Sequence, residues 1–340
     1  MSSITVSNRQ IGHGANCFVL AEVASAHQGE PAEALELARA AQRAGADGIK
    51  FQLFAAEELI APTDSRFPTF RQIEIAPREW ERILDEARGM GLPVLADIFD
   101  RPSLSIGEKG GVTAYKIHST DMENPEFIRA VAATGKPVLL STGGSGLDTV
   151  EAAIEATTSE GNREIVLLHG VQNFPTKVED SHLRYIRTLK RRFGVPVGFL
   201  DHVDGGSLMA KLLPALAVAF GADLVEKHIT RDRQAKGFDY ESSLEPEPFG
   251  DMVDLIRQSE VARGDEEMTL GENAHRYHQL MRRAVVSREA LQKGEPLRAE
   301  QLALVRNERG VAPWEMPRLL GRKPRRDIPA WEPLTEELFE

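Results

Sequence analysis

The sequence predicts a (β/α)8 barrel followed by a small β-rich domain, and three observations support this fold. Short apolar segments alternate with longer amphipathic ones between residues 16 and 265, as expected of buried parallel strands separated by helices. Eight such units in about 250 residues match this barrel in number and length. Many helical segments also end in glycine, as in RAGADG and AFGADL, because glycine readily adopts the left-handed conformation of a helix end.

The eight predicted strands are, in order, CFVLAEV, GIKFQLF, PVLADIF, AYKIH, PVLLST, IVLLHG, VPVGFLDH and DLVEKHI. A doubly wound open sheet is the alternative, but it usually has fewer strands and a glycine-rich phosphate turn after the first. The first predicted loop reads ASAHQGEP and has no G-x-G-x-x-G motif. The barrel is therefore favoured, with residues 1–265 as its domain.

The pattern changes after residue 265. Residues 266–281 are mainly polar and predict a linker. Residues 282–340 contain short β-like segments broken by KGEP and PAWEP, which indicate a separate β-rich domain. Roughly 60 residues are few for an independent core, so we expect this domain to dock on a barrel, its own or a partner's.

The composition argues against several kinds of partner. The net charge is −11, with acidic and basic residues mixed along the chain, which disfavours binding to nucleic acid or to an anionic membrane. No segment approaches the roughly 20 apolar residues of a membrane span, and the N-terminus lacks the apolar core of a signal peptide. The single cysteine, Cys17, allows no intrachain disulfide. We therefore expect a cytoplasmic protein.

Polar side chains collect where the predicted strands end. In a (β/α)8 barrel these ends meet at one face, which carries the active site. The residues concerned are Glu22, His27, Lys50, Gln52, Asp97, Asp100, Lys116, His118, Ser119, Ser141, Thr142, His169, Gln172, Asn173, Asp201, His202, Glu226, Lys227 and His228. Because five of the nine histidines belong to this set, a shared functional site is favoured over five unrelated hydrogen-bonded side chains.

Two of these histidines predict a metal site. His202 and His228 end adjacent strands at equivalent depth, and neutral imidazoles can bind a divalent metal such as Mn²⁺. Glu22 or Asp239 could supply an oxygen ligand nearby. The alternative is that the histidines support their neighbours or relay protons. Lys227 faces the other side of its strand by alternation, so it is not counted as a site residue.

Lys50 and Lys116 each interrupt an apolar strand. A buried lysine is costly unless it meets an anion, and helices cover the outer side of a barrel strand. An inward pair that binds a phosphate or a carboxylate is therefore favoured, with hydroxyl groups such as that of Thr142 beside it. A Schiff-base role for one lysine is the alternative.

These segments resemble the sialic acid (N-acetylneuraminate) synthase family, which includes the legionaminic and pseudaminic acid synthases. The matching segments are AEVASAHQG, AGADGIKFQ, YKIHST, GKPVLLSTGG, the DH of the seventh strand, the EKH of the eighth and FDYESSLEP. Residues 282–340 resemble the antifreeze-like (SAF) domain of these enzymes through VRNERGVAPWE. The likeness covers nearly the whole chain in the same order, so the chain is identified as a divergent member of the family.

The resemblance implies condensation of phosphoenolpyruvate with an open-chain amino-sugar aldehyde. The products would be phosphate and a nonulosonic-acid-like 2-keto-3-deoxy sugar acid. It also implies a divalent metal, Mn²⁺ or Mg²⁺, bound by His202 and His228. A metal-dependent lyase or aldolase on the same barrel, with a different substrate, is the alternative. A non-catalytic protein of this fold is disfavoured, because both histidines and both lysines are present.

The resemblance further implies roles for individual residues. The predicted catalytic residues are Glu22, Lys50, Lys116 and Asp121, and Glu22 or Asp121 could activate water as a general base. The predicted substrate-binding residues are Gln52, His118, Ser119, Ser141, Gln172, Asp239 and Arg306. Lys116, Ser119 and Ser141 would hold the phosphate. Arg306, with Arg309 as the alternative, would enter a partner's active site, which implies a domain-exchanged homodimer.

Five positions depart from the family pattern. Asp97 stands where threonine or serine is usual, and Leu200 replaces the serine before the DH of the seventh strand. Gln172 and Phe174 replace an amide and a phenol that contact substrate. His118 replaces a glycine beside Lys116 and could act as a cationic or neutral donor. We therefore expect an acceptor sugar that differs from that of a standard sialic acid synthase. The residues that contact the phosphate are a second place where this chain and a standard synthase are to be compared.

Overall fold

Eight parallel strands close into a barrel in the computed structural model of this chain, which describes residues 2–264, 267 and 269–340. The strands of residues 2–264 are β1 (Ser3–Val6), β2 (Arg9–Gly12), β3 (Phe18–Ala24), β4 (Gly48–Leu53), β5 (Val94–Ile98), β6 (Ala114–Ile117), β7 (Val138–Ser141), β8 (Ile165–His169), β9 (Val197–Asp201) and β10 (Leu224–His228). Strands β3 to β10 follow one another around the barrel, and β10 pairs with β3 to close it. The predicted (β/α)8 barrel is confirmed, and each barrel strand lies within a predicted apolar segment, except that β3 extends one residue beyond its segment to Ala24.

Helices connect the barrel strands on the outside. They are α1 (Pro31–Arg43), α2 (Ala56–Leu59), α3 (Phe67–Ile73), α4 (Pro77–Gly89), α5 (Arg101–Lys109), α6 (Pro125–Ala132), α7 (Leu147–Ser159), α8 (Arg184–Phe193), α9 (Met209–Ala219) and α10 (Pro246–Arg263). A short 3₁₀ turn, Ser119–Asp121, follows β6. Gly45 and Gly221, in two of the predicted helix ends, have φ angles of 83° and 99°. These angles are the left-handed conformation that the pattern predicted.

Side chains alternate between the inside and the outside of the barrel. In β3, Phe18 and Leu20 join an apolar cluster within the barrel, whereas Val19 and Ala21 belong to the larger core between strands and helices. Successive residues of a strand face opposite sides. The polar residues at the strand ends are therefore divided between an inner and an outer set.

A hairpin that the sequence did not predict closes the N-terminal end of the barrel. Strands β1 and β2 pair antiparallel, with Ile4 opposite Ile11. Ile4, Val6 and Ile11 are at most 3% exposed and share one cluster with the inward-facing apolar residues of the barrel strands. The hairpin therefore covers the end of the barrel where the strands begin.

The chain divides into two units after Gly264. The second unit contains α11 (Glu272–Met281), α12 (Met316–Leu319) and the antiparallel strands β11 (Arg283–Ser287) and β12 (Leu302–Arg306). Its core consists of Val285, Leu291, Leu297, Leu302, Leu319, Ile328, Leu334 and Phe339. This part is β-containing, as predicted.

Helix α11 occupies most of the linker predicted at 266–281. That helix has no buried residue, so the polar composition of this segment reflects an exposed helix. The predicted boundary at residues 265–266 lies outside the described residues. Among the residues that are described, no helix has the length and apolar composition needed to cross a membrane.

Candidate active site

Five charged side chains meet inside the barrel near the C-terminal ends of its strands. Lys50 Nζ contacts Glu22 and lies 2.9 Å from Glu226 Oε1 and 3.6 Å from Asp97 Oδ2. Lys116 Nζ lies 2.9 Å from the same Glu226 oxygen and 3.2 Å from Asp97 Oδ2. None of the five residues is more than 3% exposed. Both lysines thus face inward and meet anions, as predicted, and the anions are carboxylates of the protein.

The strand register explains why these charges meet. Glu22 on β3 stands opposite Lys50 on β4, and Asp97 on β5 stands opposite Lys116 on β6. Paired residues of neighbouring strands point to the same face of the sheet. Glu226 lies on β10, the neighbour of β3 on its other side. Each lysine is therefore surrounded by carboxylates from more than one strand.

The three carboxylates would exceed the two lysines by one charge if every group were ionised. Burial raises the pKa of Glu22 well above its usual range, and the neighbouring Lys50 only partly opposes this effect. Burial also acts to raise the pKa of Glu226, but Lys116 and Lys50 outweigh it and hold that pKa well below its usual range. A proton on Glu22 therefore leaves the five side chains electrically neutral, which makes their burial tolerable.

A cavity of about 270 Å³ reaches two of these charged side chains, Lys116 and Glu226. Its other lining residues are Ser25, Gln52, Thr69, Phe70, Ile73, His118, Gln172, Phe174, His202, His228, Phe238 and Asp239. Both predicted metal ligands and several predicted substrate-binding residues thus line one cavity. Glu22 and Lys50 lie outside this lining, because both are fully buried.

His202 and His228 are neighbours in this cavity, with ring centroids 5.3 Å apart. The Nδ1 atom of His202 lies 2.9 Å from the backbone oxygen of Val171. A carbonyl oxygen can only accept, so Nδ1 carries the proton and Nε2 keeps a free lone pair. Burial lowers the pKa of His202 to about 4 and that of His228 well below its usual value. Both imidazoles are therefore neutral at neutral pH.

This pair fits a divalent metal. The Nδ1 atom of His228 is buried without a hydrogen-bond partner, and neutral imidazole nitrogens are common metal ligands. Within the described part of the chain, no group of three or more histidine, cysteine, aspartate or glutamate side chains is arranged to hold an ion. The protein would thus supply two ligands and leave the remaining positions to water or substrate oxygens.

Besides Glu22 and Lys50, four more predicted site residues lie outside the cavity lining. Ser119 and Asp121 are half-buried in the 3₁₀ turn after β6. Ser141 is buried at the end of β7, where its Oγ lies 3.5 Å from Nε2 of Gln172, which does line the cavity. Arg306 is exposed at the end of β12 in the second unit. The roles assigned to these four residues stay predictions.

His27 and His169 do not join the other histidines, contrary to the expectation of five at one face. His27 packs edge-on against Trp80, with ring centroids 5.8 Å apart, and lines a separate groove. His169 Nε2 lies 3.0 Å from the backbone oxygen of Ser181. His169 follows the inward-facing Leu168, so the strand alternation turns it outward. Three of the five histidines, namely His118, His202 and His228, therefore line the cavity.

Asp201 and Lys227 form a buried ion pair away from the cavity, with Nζ and Oδ2 2.8 Å apart. Lys227 was predicted to face away from the site, and it does. Its partner Asp201, at the end of the neighbouring strand β9, faces the same way. The pair is thus part of the packing between strands and helices.

Glu226, the carboxylate that contacts both lysines, has no role predicted from the sequence. A signal was available, because Glu226 precedes His228 by two positions in a strand and must share its face. Thr69, Phe70 and Ile73 of α3 also line the cavity. No motif marks them, because a helix between two strands gives no indication of which side it presents to the barrel opening.

Comparison with known proteins identifies the family. The model of the NeuB family matches residues 37–268, which is more than half of the chain, and that of the SAF domain matches residues 282–340. The chain belongs to the NeuB family. It is therefore an enzyme, a phosphoenolpyruvate-dependent synthase that forms a carbon–carbon bond. Members of the NeuB family are generally metal-dependent, in line with the histidine pair.

Several NeuB-family relatives match along nearly their full length. An N,N'-diacetyllegionaminic acid synthase of Legionella pneumophila is 31% identical over 98% of this chain and 99% of its own. A pseudaminic acid synthase of Campylobacter jejuni is 31% identical over 95% and 96%. The crystal structure of an N-acetylneuraminic acid synthetase from Leptospira borgpetersenii is 29% identical, with a TM-score of 0.75 over 81% of this chain and 94% of that one. The NeuB family thus accounts for both units of the chain.

Proposed function

We propose that this enzyme condenses phosphoenolpyruvate with the aldehyde form of an N-acetylated amino sugar. The products are a nonulosonic-acid-like 2-keto-3-deoxy sugar acid and phosphate. The observation that carries the proposal is one cavity lined by a buried lysine, Lys116, and by two neutral histidines, His202 and His228. This combination offers a charge for an anionic substrate beside a pair of metal ligands.

Phosphoenolpyruvate carries its negative charges on a phosphate and a carboxylate, so its binding depends on a local positive charge. Of the two buried lysines, Lys116 is the one that lines the cavity. Glu226 and Asp97 raise its pKa above the usual value despite burial, so it is fully charged. An incoming phosphate takes the place of part of this carboxylate contact. The amide of Gln172 and the hydroxyl of Ser141, 3.5 Å apart, provide neutral donors beside it.

His202 and His228 would hold a divalent metal, which when bound supplies Lewis-acid polarisation of the acceptor carbonyl. We favour Mn²⁺ over Mg²⁺, because two imidazole nitrogens are softer ligands than the oxygen atoms that Mg²⁺ prefers. Asp239 lines the same cavity and accepts a hydrogen bond from Ser25 N at 3.3 Å. Its position suits contact with hydroxyl groups of the acceptor.

The residues of the chain position the reaction and stabilise the charge that develops. Carbon 3 of phosphoenolpyruvate attacks the aldehyde carbon, water adds at carbon 2, and the carbon–oxygen bond to phosphate breaks. Lys116, which is 3% exposed, stabilises the charge on the departing phosphate. Its contacts with Glu226 and Asp97 hold it in the lining of the cavity. Phe174, whose ring centroid lies 4.5 Å from that of His202, presents an apolar surface to the acceptor.

The test is phosphate release from phosphoenolpyruvate with MnCl₂ and a panel of N-acetylated amino-hexoses, with the sugar acid identified by mass spectrometry. His202→Ala and His228→Ala should abolish turnover and weaken Mn²⁺ binding measured by electron paramagnetic resonance. His169→Gln is the matched control, because His169 also ends a strand but faces outward. Absence of phosphate release across the panel, or equal Mn²⁺ binding by all variants, would contradict the proposal.

The enzyme is further proposed to act as a homodimer in which Arg306 of the SAF domain completes the partner's active site. An arginine there would neutralise substrate charge that Lys116 alone leaves unmatched. The test mixes two inactive variants, Lys116→Met and Arg306→Ala, and measures the activity of the hybrid dimers. Recovery of activity supports the exchange, and the same mixture with Arg309→Ala in place of Arg306→Ala tests the alternative arginine. A monomer by light scattering, or no recovery in mixed dimers, would refute it.

A further inference from the structure

A chain of hydrogen bonds runs from the cavity along the turn after β6. It starts at His118, which lines the cavity. Nδ1 of His118 lies 3.0 Å from Oγ1 of Thr120, and this hydroxyl lies 3.2 Å from Oδ2 of Asp121. An imidazole, a hydroxyl and a carboxylate are therefore connected in sequence, with the imidazole at the cavity end.

The direction of the protons in this chain follows from what each group can do. An ionised carboxylate only accepts hydrogen bonds, so the Thr120 hydroxyl donates its one proton to Asp121. Oγ1 must then accept from His118, which places the imidazole proton on Nδ1. A protonated Nδ1 cannot accept from the backbone N–H of Thr120, which lies 3.4 Å away, so this tautomer keeps the shorter contact to Oγ1 and gives up the longer one. Nε2 of His118 is left as the unprotonated nitrogen.

The surroundings of His118 hold it in this state. Its ring packs against Phe99, with centroids 5.3 Å apart and planes at 42°. Nε2 makes no hydrogen bond to any residue that the structure describes. Burial lowers the pKa of His118, an effect that Asp97 opposes and Lys116 reinforces. A neutral imidazole with a free lone pair, facing a cavity and oriented by a carboxylate through a second group, has the features of a general base.

We propose that His118 is the general base of the water-addition step, with Thr120 and Asp121 as positioning residues. This inference rests on the proposed function. As the water oxygen bonds to carbon 2, Nε2 takes one of its protons. When the intermediate collapses, the second proton of that water leaves with the phosphate. His118 then gives its proton to the oxygen of the former aldehyde, which becomes a hydroxyl group, so that protons and charge balance.

Direct action of Asp121 on the water is the competing assignment, and the geometry disfavours it. Asp121 does not line the cavity, and its Oδ2 is engaged by the Thr120 hydroxyl. Burial raises the pKa of Asp121, but proton transfer also requires contact with the water. His118 stands between Asp121 and the cavity, so the carboxylate acts through Thr120.

The experiment compares Thr120→Val with Thr120→Ser in the full-length enzyme with Mn²⁺, phosphoenolpyruvate and the amino sugar that it turns over. Valine has the shape of threonine but cannot relay the hydrogen bond, whereas serine can. We expect Thr120→Val to lower kcat about 10- to 100-fold with little change in the KM for phosphoenolpyruvate, as for other residues that orient an imidazole. Thr120→Ser should restore most of kcat. Thr120 is exposed, so neither change threatens folding.

The pH profile provides a second readout. His118→Gln should remove the acidic limb of the kcat profile, which in the unaltered enzyme falls below the ordinary pKa of histidine. The charged groups that influence His118, namely Asp97, Lys116, Lys50, Glu226 and Asp121, are unchanged in this variant. Equal kcat values in the Thr120→Val and Thr120→Ser variants would overturn the roles proposed for His118, Thr120 and Asp121. So would a larger loss of kcat in Asp121→Asn than in His118→Gln. Neither result would overturn the proposed function. Absence of turnover by the unaltered enzyme would overturn the proposed function as well.

Discussion

Lys50 carries a positive charge that solvent does not reach. The stability of the folded protein therefore depends on the carboxylates that surround this charge. It is fully buried, contacts Glu22 and lies 2.9 Å from Glu226. Removing one partner of a buried ion pair typically costs about 3–5 kcal/mol, because the other charge is left uncompensated. Glu22 differs from the other carboxylates in this network, since burial raises its pKa and keeps it protonated.

Lys50→Met should therefore lower the free energy of unfolding by about 3–5 kcal/mol. Glu22→Gln is the matched control, because an amide replaces a carboxyl group that is already uncharged and can still accept from Ala24 N. We expect the control to change stability by less than about 1 kcal/mol. Urea unfolding near pH 6 measures both. A large loss in Glu22→Gln would mean that Glu22 is ionised in the folded protein.

His27 should make stability depend on pH. It is 1% exposed, and burial lowers its pKa to about 4, whereas an unfolded histidine has a pKa of about 6.5. Between these values the unfolded chain takes up a proton that the folded protein does not. The contribution of His27 is therefore present above pH 6.5 and is lost as the pH falls towards 4.

Compared with His27→Gln, the unaltered protein should lose about 2 kcal/mol of stability between pH 7.5 and pH 5. Other histidines with lowered pKa values, such as His202, are present in both proteins and cancel in the difference. Urea unfolding of both proteins at the two pH values gives this quantity. Parallel pH dependence in the two proteins would mean that His27 is protonated without cost in the folded state.

Side-chain direction decided which single residues could be predicted. His202, His228, Lys50 and Lys116 were selected correctly as inward-facing, because each sits in a segment whose alternation is clear. His169 was grouped with them, although it follows an inward-facing leucine and must face outward. The sequence shows that a residue lies at the end of a strand. Whether its side chain points into the barrel or outward depends on the strand register, which is set by pairing with strands that are distant in sequence.

At the scale of elements, the barrel strands were predictable because each is an almost uninterrupted apolar run, as burial on both faces requires. The β1–β2 hairpin was not, since its strands have only four residues each and each strand buries only two of them. Helix α11 was also missed, because an exposed polar helix resembles a linker in composition. Elements that are largely buried therefore have a clear hydrophobic pattern in the sequence, whereas short or exposed elements do not.

Gly198 shows how tightly the strands are packed around the barrel axis. A Cβ atom there would lie 2.6 Å from Leu168 Cδ2 and 3.0 Å from the Leu224 backbone oxygen. Gly198→Ala should therefore destabilise the barrel by about 1–3 kcal/mol through overpacking. Gly89, at the exposed end of α4, has no atom within 4 Å of such a Cβ. Gly89→Ala should be neutral or stabilise by up to about 1 kcal/mol.

Thermal or urea unfolding of the two glycine variants tests this prediction directly. The comparison is matched, since both replacements add one methyl group to the first unit. Equal stabilities would indicate that β8, β9 and β10 can separate enough to accept the extra methyl group. Such a result would place the rigidity of the barrel elsewhere than in this set of strands.

At the scale of the whole molecule, the apolar clusters of the first unit and the apolar core of the second share no residue among those described. The core of the second unit is small, and Phe339 is its largest fully buried side chain. A small core buries little apolar surface, so the domain that it stabilises has a small free energy of unfolding. The unit should therefore be sensitive to the loss of a single buried aromatic ring.

Phe339→Ala should cost about 3–5 kcal/mol, and the loss should appear as faster amide exchange in β11 and β12 while the barrel strands stay protected. Trp314→Ala is the control, because Trp314 belongs to the same unit but is 78% exposed. Hydrogen exchange followed by mass spectrometry resolves the two units. Equal deprotection of β3 to β10 would show that the two cores unfold together.

The hairpin at the N-terminal end has a consequence for the kinetics of the enzyme. Ile4, Val6 and Ile11 fill that end of the barrel, so the cavity opens only towards the strand C-termini in the part of the chain described. Both substrates must enter, and both products must leave, through this one opening. For the proposed reaction we therefore expect phosphate bound at Lys116 to inhibit by competing with the next phosphoenolpyruvate, which reaches the same position through the same opening.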